Sequence, residues 1–262
     1  MTAVPAPRVR DLSEALALLS RREQELAALR ACHEDWRRAF SHDLRAPLRH
    51  ITSYAPLLRE TLQGAGDAQE AEQFLGVMEQ AARRMGTMVD GSLQVARIMG
   101  QMPRLQAVDL AGLAGAVRAA LLAAAPVGRT MGVQWQLPAA PVLLQADPAL
   151  LREMLQALLD NALKFSRGQD PVQISLKAEP LPGGALRWQV QDNGVGFDST
   201  RAAQIFGLFQ RLHRENDFEG VGVGLAVAQA VARQHGAELA IHSAPGQGCT
   251  LVVDWPAAPL GA

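Results

Sequence analysis

Leu12, Leu19, Leu26, His33 and Phe40 recur at seven-residue intervals, interleaved three residues later by Ala15, Arg22, Leu29 and Trp36. The pattern predicts a helix with a coiled-coil seam. Arg22 and His33 weaken the seam, which suits a marginal coil that can change register as well as it suits a plain dimerisation helix. The helical pattern runs on through Leu44, Leu48, Ile51 and Leu58 to Gln63-Gly64-Ala65-Gly66-Asp67, where two glycines stop it. A second helix follows, striped by Phe74, Met78, Ala81, Met85, Met88, Ser92, Val95 and Met99 at spacings alternating between four and three. Its methionines read as core packing. A hairpin with one apolar stripe per helix is too thin to bury itself, so the expected unit is a homodimer in which two hairpins build a four-helix bundle.

Around Gln101-Met102-Pro103 the pattern changes to helices alternating with strand-like runs. Residues 133–137 and 142–145 read as strands and 148–165 as a helix, while 172–177 and 186–191 form a hairpin around Leu181-Pro182-Gly183-Gly184. Residues 220–235 read as a glycine-led helix, and 238–242 with 249–254 as a closing hairpin around Ala244-Pro245-Gly246-Gln247-Gly248. The expected organisation is multidomain α and α+β: a coiled-coil helix over residues 1–40, a helical hairpin over 41–104 and an α/β domain over 105–262.

With 262 residues, 48% of them hydrophobic, the chain can bury real cores. A formal net charge of −1 supplies no overall field for nucleic acid or an anionic membrane, so any phosphate binding must be local. Cys32 and Cys249 stand far apart without metal-ligand spacing, which argues against a disulfide framework or a zinc site. The longest apolar runs, such as 121–127, are far shorter than the ~18 residues of a membrane span, and the N-terminus has no signal-peptide core. A cytoplasmic protein is expected.

Candidate chemistry begins at Phe40-Ser41-His42-Asp43-Leu44-Arg45-Ala46-Pro47-Leu48. Pro47 lacks an N–H, so the helix should bend beside His42 and expose it. A carboxylate bonded to one imidazole nitrogen makes the other a better nucleophile, and Asp43 is adjacent. A lone His-Asp pair on a helix is usually just solvated; the extended string resembles the phospho-acceptor box of sensor histidine kinases, in the version of phytochrome-like kinases. In Leu155-Gln156-Ala157-Leu158-Leu159-Asp160-Asn161-Ala162-Leu163-Lys164-Phe165, a helix buries one leucine-rich face and leaves Ala157, Asn161 and Lys164 on another stripe. Asn161 offers an amide oxygen suited to Mg²⁺, and Lys164 a point charge for phosphate. The string is similar to the N box of the same kinases, except that a second asparagine common in the family is here Ala157.

Gln191-Asp192-Asn193-Gly194-Val195-Gly196-Phe197-Asp198 follows a strand, and read alone is a turn. It resembles the G1 box, in which the aspartate, here Asp192, reads the adenine amino group while Gly194 and Gly196 admit a flat ligand. Ile205-Phe206-Gly207-Leu208-Phe209-Gln210-Arg211-Leu212-His213 is similar to the F box. Gly220-Val221-Gly222-Val223-Gly224-Leu225 is similar to the G2 box, whose backbone N–H groups would meet phosphates at a helix start. The polar, aperiodic segment 208–220 suits a lid.

Five boxes in family order carry the resemblance from Phe40 to the chain end. It implies a dimerisation and histidine-phosphotransfer hairpin followed by a GHKL-type α/β sandwich. It also implies a kinase with His42 as nucleophile, Asp43 as its orienting base, ATP and Mg²⁺ as cofactors, and Asn161 as metal ligand. Lys164, Asp192, Gly194, Gly196, Arg211, Gly220, Gly222, Gly224 and Leu225 form the expected nucleotide site. The phosphoryl group would pass to the receiver domain of a separate response regulator, and the signal would come from a partner such as a separate sensor protein, from the first forty residues, or from a region outside this sequence. Relatives that dephosphorylate their regulator place a threonine or asparagine four residues after the histidine; here Ala46 predicts weak or absent phosphatase activity. Two other readings stand beside this one: an ATP-binding dimeric scaffold that has lost catalysis, favoured by Ala157, and a GHKL ATPase of the chaperone or mismatch-repair kind, disfavoured by the acceptor hairpin. Of the remaining histidines, His50 reads as a surface or bundle residue and His213 as a solvated lid residue. His235, before Gly236 at a helix end, reads as a partial positive charge favouring the helix dipole.

Overall fold

The structure is a computed structural model that describes residues 16, 19–20, 43–63, 68–124, 132–213 and 217–257. His42, the loop 64–67 and the predicted seam, apart from helical Leu16, Leu19 and Ser20, lie outside the described residues. The chain divides into compact units Met1–Ala46 and Pro47–Ala262, and nearly everything described belongs to the second.

Asp43 is helical and Leu44 a turn position before helix α1 (Arg45–Gln63), a break three residues ahead of Pro47, which removes a helical N–H. α1 continues across a further proline, Pro56. α2 (Ala68–Gly100) buries Ala81, Met88, Gly91, Ser92, Val95 and Ile98, a face that overlaps the predicted stripe. Tyr54 of α1 and Phe74 of α2 meet with ring centroids 5.6 Å apart. Leu48, Leu57 and Leu62 of α1 and Leu75, Val89 and Leu93 of α2 stay exposed.

Beyond the hairpin, β1 (Gln106–Asp109) pairs antiparallel with β3 (Leu143–Ala146) in a small sheet. Helix α3 (Leu110–Ala124) leads to β2 (Val133–Gln136), which joins β4 (Val172–Pro180), β5 (Leu186–Asp192), β6 (Glu238–Ser243) and β7 (Cys249–Trp255) in a second sheet of order β2-β4-β5-β7-β6. Only the β2–β4 pairing is parallel. Strict alternation turns Ile174, Leu176, Trp188, Val190, Leu251, Val253 and Trp255 into the core. Against that face lie α4 (Pro148–Phe165) and α5 (Gly224–Gln234). The result is a helical hairpin followed by a layered α/β domain, the architecture expected of the sequence.

α4 has the bounds its sequence predicts because both ends are marked. The Asp147 carboxylate accepts from Ala149 N at 3.0 Å and Leu150 N at 3.2 Å, and Pro148 follows at the first helical position. Asp147 also accepts from Arg104 N at 3.0 Å, which ties down the segment between α2 and β1. His235 corrects its expected role as a positive helix-end charge. It is buried, its Nε2 accepts from Asp147 N at 3.0 Å, and its ring lies 4.8 Å from that of Trp255. Burial lowers its pKa, so the imidazole is held neutral with Nδ1 facing Val231 O.

Candidate functional site

α4 sets its leucine-rich face into the core, and the helical period then turns Ala157, Asn161 and Lys164 together toward a cavity of about 310 Å³. Asn161 Oδ1 accepts from Lys164 Nζ at 3.0 Å, and the same ammonium sits 4.4 Å from the Phe165 ring centroid. Burial lowers the Lys164 pKa, opposed by the charge of Asp160.

At the opposite wall β5 ends in Asp192, whose Oδ1 accepts from Gly194 N at 2.8 Å. Burial pushes the carboxyl up to about 6, against the backbone N–H groups that favour its charge. Cys249, paired with Asp192 across β5 and β7, has its thiol pushed up to about 12 by burial and by the Asp192 charge, so it is an inert wall residue. Gly196 has φ 59° and lies so close to Ala244 O that no side chain fits.

The glycine loop 220–224 precedes α5, which begins at Gly224 rather than at the predicted 220. Gly222 has φ 80°, and a Cβ there would stand 2.7 Å from Gln210 O. That close approach lets Phe209 N donate to Gly222 O at 2.8 Å, locking the F-box segment onto the loop. Arg211 clasps the following segment by donating to Phe218 O at 2.6 Å and to Gly220 O, and Arg167 pairs with Glu219. Phe165, His213 and Phe218 form an aromatic cluster with centroids 5.0–5.4 Å apart. His213 is therefore packed rather than solvated, and burial lowers its pKa.

The cavity wall unites Asn161, Lys164, Asp192, Gly196, Arg211, Gly220, Gly222, Gly224 and Leu225. Of the nucleotide residues inferred from sequence, Gly194 does not line it; it packs against Phe165 O and donates to Asp192 instead. His42 lies outside the described residues, and Asp43 falls in the first compact unit. Thr87 of α2, Phe165, Phe218 and Cys249 also line the cavity. The sequence holds no cue for Thr87, which reaches the site only through tertiary packing; the aromatic residues next to the N and F boxes were a readable signal.

Mg²⁺ fits this donor set. Asn161 Oδ1 already holds a cation, the Lys164 ammonium, at hydrogen-bond distance. Among the described residues no three His, Cys, Asp or Glu side chains cluster as a metal cage, so a cation here would rely on one amide oxygen, water and phosphate, the usual habit of Mg²⁺.

Residues 35–101 match the His Kinase A (phospho-acceptor) domain and residues 146–259 the Histidine kinase-, DNA gyrase B-, and HSP90-like ATPase. The chain is 29% identical over 216 residues to Phytochrome-like protein Cph1 of Synechocystis sp., covering 82% of this chain and 28% of that protein. It is 30% identical over 246 residues to Methanogenesis regulatory histidine kinase FilI of Methanothrix harundinacea, covering 94% of this chain and 27% of that one. It thus spans little more than a quarter of the length of these curated relatives. Full-length ShkA in complex with AMPPNP aligns with TM-score 0.54 at 25% identity, covering 85% of this chain and 45% of that one. The Acinetobacter baumannii histidine kinase AdeS shares the fold, with TM-score 0.50 at 19% identity over 83% of this chain and 98% of that one. With a phospho-acceptor hairpin and a GHKL-type α/β ATPase domain matched in that order, the chain belongs to the sensor histidine kinases.

Proposed function

We propose that this protein is a homodimeric, cytoplasmic two-component kinase that uses Mg-ATP to phosphorylate its own His42 and passes the phosphoryl group to an aspartate on the receiver domain of a separate response regulator. The observation that carries the reading is the cavity itself. One wall offers Asp192 for an adenine amino group, and the other offers Asn161, Lys164 and the glycine loop at a helix N-terminus for phosphates. The AMPPNP complex of the ShkA relative supports nucleotide as the occupant. The exposed leucines of α1 and α2 support pairing of two hairpins. No helix among the described residues is long and apolar enough to cross a membrane.

Phosphoryl transfer is mostly positioning and charge neutralisation. Bound at Asn161, Mg²⁺ would neutralise phosphate charge and polarise the scissile bond. Lys164, released from Asn161, takes a phosphate oxygen, and backbone N–H groups of the glycine loop take others. Asp43 orients the His42 ring, one ring nitrogen attacks the γ-phosphorus, and an N–P bond forms as the bond to the ADP oxygen breaks.

Ala157 lines the same cavity, which favours one competing reading, a scaffold that binds ATP without transferring it. Incubation with Mg²⁺ and γ-labelled ATP decides between the two. An acid-labile label present on the protein and absent from His42→Ala establishes the autokinase; no label despite ATP binding refutes it in favour of the scaffold.

A further inference from the structure

Thr87, Gly91, Gln94 and Arg97 recur along α2 at spacings of four, three and three and therefore share one helix face. That face meets the ATPase domain. Thr87 lines the nucleotide cavity. Gln94 donates to Glu153 of α4 at 2.9 Å, and Arg97 Nη2 donates to both oxygens of the same carboxylate at 2.7 Å. Gln234 of α5 donates to Met99 O at 2.7 Å. Between these polar anchors Gly91 abuts Val223, in the middle of the glycine loop. A Cβ at position 91 would stand 2.5 Å from Val223 Cγ2, 2.8 Å from Cγ1 and 3.1 Å from Cβ. Rotation of the valine can move its γ carbons but leaves its Cβ 3.1 Å away, so the loop or the helix must also give by a few tenths of an ångström. The other glycines of α2, Gly76, Gly86 and Gly100, have nothing within 4 Å.

We propose that Gly91 is a positioning residue: the notch in the acceptor hairpin that seats Val223 and holds the glycine loop in its nucleotide-receiving shape. Hairpin and nucleotide then bind the same loop conformation. By linkage, docking of α2 raises nucleotide affinity, and nucleotide strengthens docking. The inference rests on the cavity being a nucleotide site.

The test titrates a fluorescent ATP analogue, with Mg²⁺, into the full chain and four variants: Gly86→Ala, Gly91→Ala, Val223→Ala and the Gly91→Ala/Val223→Ala double. Gly86→Ala makes the same chemical change on the same helix in open space and should bind as the wild type does. Gly91→Ala should bind about fivefold more weakly, and the double variant should be at least threefold tighter than the product of the single effects, since trimming Val223 makes room for the new methyl. Gly91→Ala matching Gly86→Ala, tighter binding by Gly91→Ala, or strictly additive effects would each overturn the seat while leaving the nucleotide reading intact. A wild type that binds no nucleotide would overturn both. Gly91→Ala that fails to fold, with the double variant folded yet weak, would also refute it.

Discussion

Asp192 should make the ligand-free protein less stable at neutral pH, and Asp192→Asn should remove that cost. Its carboxyl has a pKa of about 6 against an ordinary 3.8, chiefly through burial. A folded pKa above the unfolded one means the native state holds the proton more tightly. The stabilising contribution is complete below pH 3.8 and is lost as pH rises through about 6. The shift of about two pH units corresponds to roughly 3 kcal/mol over the whole titration, and about half of it is expressed between pH 5 and pH 8. Asparagine does not ionise. It also rearranges the bond from Gly194 N, but that effect is independent of pH and cancels when two pH values are compared. The variant's stability relative to wild type, measured by urea unfolding, should therefore be about 1.4 kcal/mol more favourable at pH 8 than at pH 5. In thermal melts the same difference appears as about 3–6 °C. Nucleotide affinity should fall about ten- to a hundredfold, since an ionised acceptor for the adenine amino group is gone. A stability difference that is equal at the two pH values would refute the argument that burial strains this carboxylate.

Three further outcomes follow from the same geometry. Asn161→Ala should lower the Mg²⁺-dependent part of ATP affinity at least tenfold, read by titration with and without the metal, while Lys164→Met should weaken ATP binding even in its absence. His235 has its pKa lowered below 6.5, so its contribution to stability is full above that value and is lost as pH falls through the lowered one; His235→Gln should flatten the acid limb of unfolding below pH 6.5 relative to wild type, a comparison needed because Asp192 acts in the opposite sense there. With Ala46 at the water-positioning place, regulator phosphorylated by this kinase should lose phosphate at its intrinsic rate when the kinase is added, and acceleration that depends on the His42 segment would refute that.

The parts of the fold legible in the sequence carry a local signal. α4 begins at Asp147-Pro148, where a capping carboxylate and a proline fix the first turn. The strands of the large sheet bury one face and so alternate. α3 was not legible because Leu-Ala-Gly-Leu-Ala-Gly-Ala-Val-Arg-Ala-Ala-Leu-Leu-Ala-Ala is apolar nearly all round and has no polar face to set a period, and β1 is only four residues long. Site chemistry followed the same division. Asn161, Asp192 and the glycines announce themselves by type and spacing. The packing of His213 on Phe165 and the neutral state of His235 against Asp147 N–H depend on neighbours distant in sequence, whereas Lys164 and Asn161 pair within one turn of α4.

The pairings within the site bear on how it binds at all, because several of its polar side chains already have partners before any ligand arrives. The Lys164 ammonium stands where a metal cation would bind Asn161, Arg211 holds the carbonyls of Phe218 and Gly220, and Phe165, His213 and Phe218 cover apolar surface beside them. Nucleotide entry is then an exchange of partners, and observed affinity is the difference between two satisfied states. An exchange of this kind favours polyphosphate with a divalent metal over either alone. Asn161 would hold the metal once Lys164 leaves it, the freed ammonium would take a phosphate oxygen, and neither half of the exchange would be complete without the other. The coupling makes a direct demand on binding data: ATP and Mg²⁺ should each raise the other's affinity, and Lys164→Met should reduce that mutual gain more than it reduces the binding of ATP alone.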